Sequence, residues 1–423
     1  MKILVVGGGG REHAIIKKLR ESPRAEKIYA APGNGGISRD AECVPISASE
    51  VDGIVSFAVR EGIDFAVIAP EDPLVRGAVD KLAAAGIPAF GPTADAAILE
   101  GSKIFAKNFM KRHGIPTASF AEFSDADTAI AYLERSSFPI VVKADGLAAG
   151  KGVIIAEDLD EAKDAVRSMM EDGAFGDSGL RVVIEEYLTG PEVSVLAFCD
   201  GEHVFPMVSS MDHKRAHDGD EGPNTGGMGT VAPNPFYTEE VAAECMEKIF
   251  RPTVLGMKEE GRPFRGCLYF GLMITENGPY VIEYNCRFGD PETQVVLPLL
   301  DCDLLDVMEK AATGTLAEGD VKIKDGCACC VIMAHVGYPG KYESGFEIDI
   351  PEDIERDVYV AGGKLEGGKL ISGGGRVLGV TAAGGTLAEA VSGAYEKVGR
   401  IGFPNSFYRR DIGARALSAE KDS

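Results

Sequence analysis

Residues 143–153 read KADGLAAGKGV and contain the glycines and lysines of a phosphate-binding loop. A Walker loop has four residues between its first glycine and its Gly-Lys pair, followed by a Ser or Thr that holds magnesium. Here only three residues separate Gly146 from Gly150, and Gly152 follows Lys151. A Walker loop also opens a helix, whereas apolar, β-branched residues flank this stretch on both sides. The stretch therefore predicts a glycine-rich hairpin between two strands.

Such a hairpin can still bind phosphate. Glycines have no side chain, so their backbone N–H groups are free to cradle phosphate oxygens. Lys143, at the end of the first strand, supplies a positive charge. An ordinary surface hairpin is the alternative that these residues alone leave open.

The first hundred residues alternate short apolar runs with amphipathic stretches. The apolar runs at 3–6, 27–30 and 65–68 predict strands, and the stretches at 11–20, 50–60 and 74–85 predict helices. This β-α-β-α-β order predicts a parallel sheet. A Lys-rich helix is predicted after Gly101, ending at the His113-Gly-Ile-Pro116 stop signal.

The turn after the first predicted strand reads GGGGREH at residues 7–13. A dinucleotide fingerprint requires Gly or Ala at its sixth position, which is Glu12 here, and an acidic residue about 20 positions further on. The second strand instead ends in Ala31-Pro32-Gly33, so NAD is disfavoured. Glycines that lead into a helix N-terminus can still hold an anion. A merely tight strand-to-helix turn is the open alternative.

Amino-acid composition disfavours some classes of partner and site. The 423 residues include 43 Lys+Arg and 66 Asp+Glu, and the net charge of −23 opposes a nucleic-acid partner. We expect a cytoplasmic chain, because no long apolar run and no signal-peptide cleavage pattern is present. The nine cysteines fit reduced thiols, and the segment Cys327-Ala-Cys-Cys330 predicts a buried strand rather than a metal site.

Residues 181–192 read RVVIEEYLTGPE, an apolar strand that ends in two acids and a turn. This is compatible with an ordinary edge strand. It is equally compatible with a hinge that offers main-chain groups to an adenine ring, with a carboxylate a few residues later for ribose hydroxyls.

Residues 280–293 read YVIEYNCRFGDPET. Side chains alternate faces on a strand, so Glu283 and Asn285 are expected to point the same way. Two oxygen ligands suit Mg²⁺, which completes its octahedron with water and substrate phosphate. Arg287 would follow on the same side if the strand continued, bringing a planar donor to a carboxylate or phosphate.

Four segments are informative when taken together: KADGLAAGKG at 143–152, DHKR at 212–215, GPNTGGMG at 222–229 and RFGDPET at 287–293. This set resembles the phosphoribosylamine–glycine ligases, a family with the ATP-grasp fold. The similarity runs from Val5 to Gly413, and its most specific part is RFGDPET.

The resemblance implies an α/β and α+β multidomain architecture. It implies an N-terminal Rossmann-like α/β domain at 1–100, which receives phosphoribosylamine, and a central ATP-grasp domain at 101–122 and 190–325. The lid would lie at 123–189 and a C-terminal α+β domain at 326–423. The implied reaction joins glycine to 5-phosphoribosylamine with ATP through glycyl phosphate, in purine biosynthesis. The partners would be small molecules only, with no membrane, and the chain a monomer.

The resemblance also implies roles for individual residues. ATP would be bound by Lys103, Lys143, Gly146, Gly150, Lys151, Gly152, the hinge residues Glu185, Glu186 and Leu188, and Glu192. Mg²⁺, or Mn²⁺ in its place, would be bound by Glu283 and Asn285. Glycine and the transferring phosphoryl group would meet Arg287, Asp212 and Lys214. Phosphoribosylamine would be bound by Gly8, Gly9, Gly10, Glu71 and Asp290.

The sequence differs from the usual ATP-grasp pattern at one position, and three alternative hypotheses for its function were considered. Many ATP-grasp enzymes have an acidic metal ligand on the strand before Glu283, but residues 268–273 read LYFGLM. Another carboxylate–amine ligase of the same fold is the nearest rival, and DHKR and RFGDPET argue against it. A non-catalytic nucleotide-binding regulator would not need Glu283, Asn285 and Arg287. An NAD-dependent oxidoreductase is opposed by the failed fingerprint.

Overall fold

A computed structural model describes residues 1–148 and 152–422 of the chain. Its N-terminal part is a parallel sheet in the order β3-β2-β1-β4-β5, as the alternation of the sequence predicts. The elements are β1 (Lys2–Gly7), α1 (Gly10–Leu19), β2 (Lys27–Pro32), β3 (Glu42–Cys43), α2 (Val51–Glu61), β4 (Phe65–Ile68), α3 (Glu71–Val75), α4 (Ala78–Ala84), β5 (Ala89–Phe90) and α5 (Ala94–Gly101).

Strand order in this sheet positions the first part of the site. From β1, the strands β2 and β3 are added on one side of the sheet, and β4 and β5 are then added on the other. The strand order therefore switches between β1 and β4, which pair in parallel. Ligands of open α/β sheets bind at such switch points, beyond the carboxyl ends of the strands. The turn after β1 and the start of α3 after β4 therefore lie side by side. The single helix predicted at 74–85 is two helices, because Gly77 adopts a left-handed φ of +77° between them.

The second part is a four-stranded antiparallel sheet in the order β6-β9-β7-β8. Ser102, Asp125 and Asp158 begin its three helices by accepting a backbone N–H at the N-terminus. The predicted hairpin is confirmed, since β7 and β8 pair in antiparallel fashion across the glycine-rich stretch. The elements are α6 (Lys103–Arg112), β6 (Phe120–Phe123), α7 (Ala126–Leu133), β7 (Ile140–Ala144), β8 (Val153–Ala156), α8 (Leu159–Met170) and β9 (Val182–Glu186).

The third part is built on an antiparallel sheet in the order β11-β10-β16-β17. Its longest strands are almost fully buried on both faces. The elements are β10 (Glu192–Asp200), β11 (Val204–Pro206), β12 (Met211–Asp212), β13 (Arg215–His217), β14 (Glu221–Asn224), β15 (Gly229–Ala232), α9 (Glu239–Cys245), α10 (Arg251–Glu259), β16 (Arg265–Thr275), β17 (Gly278–Asn285), α11 (Thr293–Val296) and α12 (Leu304–Thr313).

The last part is a mixed α+β unit whose sheet recruits two strands from the middle of the chain. Its order is β12-β15-β18-β23-β20, with β24 paired to β18. Cys327 to Cys330 lie in a buried strand, as predicted. The remaining elements are β18 (Cys327–His335), β19 (Glu347–Ile348), β20 (Val358–Val360), β21 (Gly363–Glu366), β22 (Lys369–Ser372), β23 (Arg376–Gly384), α13 (Leu387–Val398), β24 (Ser406–Phe407) and α14 (Ala414–Asp422).

Aromatic side chains join the parts of the core. Phe90 of the first sheet lies 6.1 Å, centroid to centroid, from Phe198 of the third, and Phe198 lies 5.9 Å from Phe288. Edge-to-face contacts of this kind stabilise the fold beyond the effect of the area that they bury. Within the described ranges, no helix combines the length and the apolar character that crossing a bilayer requires.

Candidate active site

The root of the glycine-rich hairpin is packed too closely for side chains. An added Cβ on Gly146 would lie 2.5 Å from Ser178 Oγ, and one on Gly152 would lie 2.6 Å from Ala148 Cβ. The Ala144 N–H donates to Gly152 O at 2.9 Å and closes the hairpin. Both glycines are therefore required by the local structure, whatever they bind.

Gly150 and Lys151, which the sequence assigns to ATP binding, lie outside the described residues. The two flanks of the loop are described, and they fix where it begins and ends.

Asp145 attaches this hairpin to the start of α6. Its Oδ1 accepts hydrogen bonds from Ser102 Oγ at 2.7 Å and from the Ile104 N–H at 2.8 Å. Its backbone carbonyl accepts the Lys103 N–H at 2.9 Å. Lys103 Nζ then donates to Gly146 O at 3.2 Å. Two predicted ATP ligands that are 43 residues apart are thus brought into contact.

A buried cluster of three charges lies below the hairpin. Glu185 Oε2 is 3.0 Å from Lys143 Nζ and 2.8 Å from Lys107 Nζ. Burial lowers the pKa of Lys107 to about 8, although Glu185 opposes the shift. Glu185 Oε1 is buried and has no hydrogen-bond partner among the described residues. A buried polar atom of this kind is costly unless a ligand or water satisfies it.

The other residues of the predicted hinge lie nearer the surface. Glu186 is exposed, and its Oε1 accepts the Ser119 N–H at 2.8 Å. Leu188 is half-buried. Glu192 begins β10, and its Oε2 lies 3.2 Å from Lys214 Nζ. The structure thus brings the predicted ribose ligand into contact with a predicted catalytic lysine.

Glu283 and Asn285 lie on the same face of β17, as the alternation predicts. They pair with Gly271 and Tyr269 of β16, and the buried Tyr284 between them faces the core. Burial acts to raise the pKa of Glu283, but Lys214, Lys143 and Lys103 outweigh it and hold that pKa below its ordinary value. Glu283 is therefore a carboxylate at neutral pH.

Arg287 continues this line of side chains and connects two sheets. Its Nη2 lies 3.3 Å from Asn285 Oδ1 and 3.3 Å from Glu100 Oε1. Its Nε lies 3.1 Å from Glu71 Oε2, at the start of α3 beyond the carboxyl end of β4. Burial acts to raise the pKa of Glu71, but Arg287 and Arg11 outweigh it and hold that pKa low.

The glycine turn after β1 meets the RFGDPET segment. The Gly9 N–H donates to Glu12 Oε2 at 2.6 Å, and the Arg11 N–H approaches Asp290 Oδ2 at 3.4 Å. A Cβ on Gly8 would lie 2.5 Å from Gly33 O, and one on Gly10 would lie 3.5 Å from Asp290 Oδ1. The structure thus brings Gly8, Gly9, Gly10 and Asp290 together.

Asp212 ends β12 and Lys214 follows it closely, near enough to Glu283 for the lysine charge to lower the pKa of that carboxyl. Asp212 Oδ1 accepts the His213 N–H at 2.8 Å. Burial, followed by the charge of Glu292, raises the pKa of Asp212 well above its ordinary value. Glu192 and, behind it, Glu283 raise the pKa of Lys214 against the effect of burial. Lys214 is therefore a firmly protonated cation between two carboxylates.

The sequence interpretation missed three side chains at this site. Lys107 follows Lys103 by one helical turn, so the spacing predicts that both lysines lie on the same face of α6. Glu100 contacts Arg287, and Arg376 Nη1 donates to Asp290 O at 2.7 Å and to Gly226 O at 2.6 Å. Neither of these last two has a local sequence pattern that would have indicated it.

Comparison with known proteins agrees with this geometry. Residues 1–100, 101–293 and 328–415 match the family models for the N domain, the ATP-grasp (A) domain and the C domain of phosphoribosylglycinamide synthetase. The phosphoribosylamine–glycine ligase of Caldanaerobacter subterraneus is 48% identical over 415 residues, which are 98% of this chain and 100% of that protein. The ligase of Rhizobium meliloti is 50% identical over 422 residues, 99% of this chain and 100% of that one.

Solved structures give the same result. The crystal structure of the Thermotoga maritima phosphoribosylamine–glycine ligase superposes with a TM-score of 0.85 at 34% identity, covering 97% of this chain and 100% of that chain. The crystal structure of a biotin carboxylase–β-γ-ATP complex from Campylobacter jejuni has a TM-score of 0.76 at 17% identity over 96% of this chain and 92% of its own, and shows a shared fold. The predicted family and fold are confirmed: the chain has the ATP-grasp fold and belongs to the phosphoribosylglycinamide synthetase family.

Proposed function

We propose that this chain ligates glycine to 5-phosphoribosylamine at the expense of ATP, giving glycinamide ribonucleotide, ADP and phosphate. The proposal rests on two contacts of Arg287. Its guanidinium contacts Asn285, beside the proposed ATP site, and Glu71, in the N-terminal region where we place phosphoribosylamine. A ligase of two substrates needs its two binding regions joined at the reacting atoms. Membership of the family over the whole chain supports the same reaction.

ATP lies between the hairpin and the third sheet. Lys103 and Lys143 neutralise its phosphates, and Gly146, Gly150, Lys151 and Gly152 bind them as well. The adenine ring contacts the main chain of Glu186 and Leu188, and Glu192 receives the ribose hydroxyls. The adenine amino group is the donor that the unpartnered Glu185 Oε1 lacks.

The metal site rests on two oxygen donors. The Glu283 carboxylate receives no hydrogen bond from the described residues, and Asn285 Oδ1 accepts only a long one, so both oxygens suit a hard cation. Within residues 1–148 and 152–422, no group of three or more His, Cys, Asp or Glu side chains could hold a metal. Glu283 and Asn285 would hold Mg²⁺, or Mn²⁺, which when bound neutralises phosphate charge.

The first chemical step activates glycine. A glycine carboxylate oxygen attacks the γ-phosphorus of ATP, the bond to the β-phosphate oxygen breaks, and ADP leaves. Charge on the transferring group is neutralised by Lys103, Lys143 and Lys214, and such positioned charges are the main source of catalysis in phosphoryl transfer. Asp212 and Arg287 hold glycine in place. The product of the step is glycyl phosphate.

The second step forms the amide. The amine of phosphoribosylamine, held by Gly8, Gly9, Gly10, Glu71 and Asp290, attacks the glycyl carbonyl carbon and expels phosphate. Water would hydrolyse glycyl phosphate, so the hairpin and its sheet act as a lid that closes over the site. We assign these roles to four domains. They are an N-terminal domain at 1–100, a lid at 123–189, a central domain at 101–122 and 190–325, and a C-terminal domain at 326–423.

We further propose that the chain works in the cytoplasm as a monomer on small molecules. Its net charge of −23 supports the absence of a nucleic-acid partner.

Phosphate release from ATP tests the proposed function. With Mg²⁺ present, the purified chain should release phosphate at a sustained rate only when glycine and freshly generated phosphoribosylamine are both supplied. Glycinamide ribonucleotide should accumulate in equal amount. Folded protein that shows no glycine-dependent turnover would overturn the proposal.

A further inference from the structure

Both neighbours of Lys214 in the chain are held by one short segment of the C-terminal region. His213 and Arg215 flank this lysine, and each receives a hydrogen bond from residues 409–413. The two segments are about 200 residues apart in sequence, and nothing in the reaction itself requires their contact.

His213 forms the first attachment. Its ring is buried, with Nδ1 3.0 Å from Gly229 O and Nε2 3.2 Å from the Gly413 N–H. A carbonyl only accepts and an amide only donates, so the ring carries its proton on Nδ1 and is neutral. Burial lowers the pKa of His213, in agreement with a neutral ring. The imidazole therefore bridges the start of β15 and Gly413 in one fixed orientation.

Arg409 forms the second attachment. It is among the largest fully buried side chains, and its Nε and Nη2 contact the two oxygens of Asp411 at 2.8 Å and 2.7 Å. Its Nη1 donates to Asp220 Oδ1 at 2.8 Å and to Arg215 O at 3.1 Å. Asp411 Oδ2 also accepts the Gly219 N–H at 2.8 Å. The guanidinium thus fixes the backbone directly after Lys214.

Lys214 is held from a third direction as well. Its carbonyl accepts hydrogen bonds from the Thr225 N–H at 2.8 Å and from Thr225 Oγ1 at 2.9 Å. The side chain beyond this fixed backbone is long and half-buried, and reaches Glu192. A flexible ammonium group placed on a rigid backbone loses less conformational freedom when it meets its ligand.

We propose that Arg409 and His213 are positioning residues that hold the Lys214 ammonium where charge develops during phosphoryl transfer, an inference that rests on the proposed function. The C-terminal region then serves catalysis without touching ATP or glycine. Displacement of a catalytic group by about 1 Å can cost about 10²-fold in rate. The effect should fall on turnover far more than on ATP affinity, because Lys143 and the hinge residues lie on other elements and only Glu192 among the proposed ATP ligands pairs with Lys214.

A double-mutant cycle tests this inference. The variants are Arg409→Gln, Lys214→Ala and both together, with Arg410→Gln as the matched control, since that exposed side chain follows Arg409 directly. Turnover is normalised to sites that bind ATP, measured by equilibrium dialysis. Arg409→Gln should lower kcat about 10²-fold, with a much smaller change in the ATP dissociation constant. In the Lys214→Ala background it should have almost no further effect.

Independent losses that multiply in the double variant would overturn the inference, as would full turnover of Arg409→Gln. If Arg409→Gln does not fold, His213→Asn takes its place in the same cycle. Asn keeps a donor for Gly229 O but is too short to accept the Gly413 N–H, and the same two outcomes decide. Wild-type protein that makes no glycinamide ribonucleotide would instead reject the proposed function, so the two failures are distinguishable.

Discussion

Arg287 Nε lies 3.1 Å from Glu71 Oε2, across 216 residues of sequence. This contact attaches the RFGDPET segment to the N-terminal parallel sheet, beyond the carboxyl end of β4. Because the same guanidinium also reaches Asn285, one side chain spans the two regions in which we place phosphoribosylamine and ATP. Only a planar, forked cation can make contacts in these directions at once.

Arg287→Lys should therefore impair catalysis while keeping the positive charge. Lysine is a point charge and cannot contact Glu71 and Asn285 together. We expect kcat/KM for phosphoribosylamine to fall about 10²-fold, with an unchanged dissociation constant for ATP. Arg262→Lys, which lies outside the site, serves as control. Wild-type kinetics for Arg287→Lys would show that the bridge is structural only.

Glu283→Gln should weaken the dependence on magnesium. The substitution keeps the shape of the side chain and removes the charge that a hard cation prefers. We expect the Mg²⁺ concentration for half-maximal turnover to rise and the fold, followed by circular dichroism, to stay intact. Glu276→Gln, at the exposed turn after β16, controls for the loss of a negative charge. Superimposable magnesium titrations would reject the metal assignment.

Glu185→Gln should destabilise the lid sheet. It leaves Lys107 and Lys143 buried without their counter-charge, which costs about 3 kcal/mol when one partner of a buried ion pair is removed. Hydrogen exchange of residues 120–186, measured by mass spectrometry, should report a lower free energy of local opening. Glu122→Gln, exposed on β6 of the same sheet, should leave exchange unchanged. Equal protection in both variants would contradict a stabilising role for the cluster.

The attachment between Arg409 and Asp411 predicts a defined dependence of stability on pH. Burial acts to raise the pKa of Asp411, but the hydrogen bonds from Arg409 and the Gly219 N–H outweigh it and hold that pKa at about 2. An acid with a lowered pKa stabilises the folded state above its unfolded pKa, and that contribution disappears as pH falls through the folded value.

Wild type should therefore be more stable to urea than Asp411→Asn by a constant amount above about pH 5. The difference should shrink between the ordinary carboxyl pKa of 3.8 and about pH 2. A difference that grows as the pH falls would contradict this sign.

Local patterns predicted much of the fold. The β-branched flanks of residues 143–153 gave a hairpin, and the alternation in 280–285 placed Glu283 and Asn285 on one face. The helix expected at 74–85 was wrong as a single element because Gly77 interrupts it. Glu100, Arg376 and the segment 409–413 could not be predicted, since their partners are 86 to 200 residues away. Such contacts depend on tertiary packing and leave no period or spacing in the sequence.

The proposed mechanism requires ATP to activate the glycine carboxylate as glycyl phosphate. Glycine labelled with ¹⁸O in both carboxylate oxygens tests it most directly. The oxygen that attacks the γ-phosphorus stays with phosphorus when the amine expels phosphate. Each released phosphate should therefore carry one ¹⁸O atom, and the amide of glycinamide ribonucleotide should retain the other. Phosphate free of ¹⁸O, formed alongside glycinamide ribonucleotide, would contradict it.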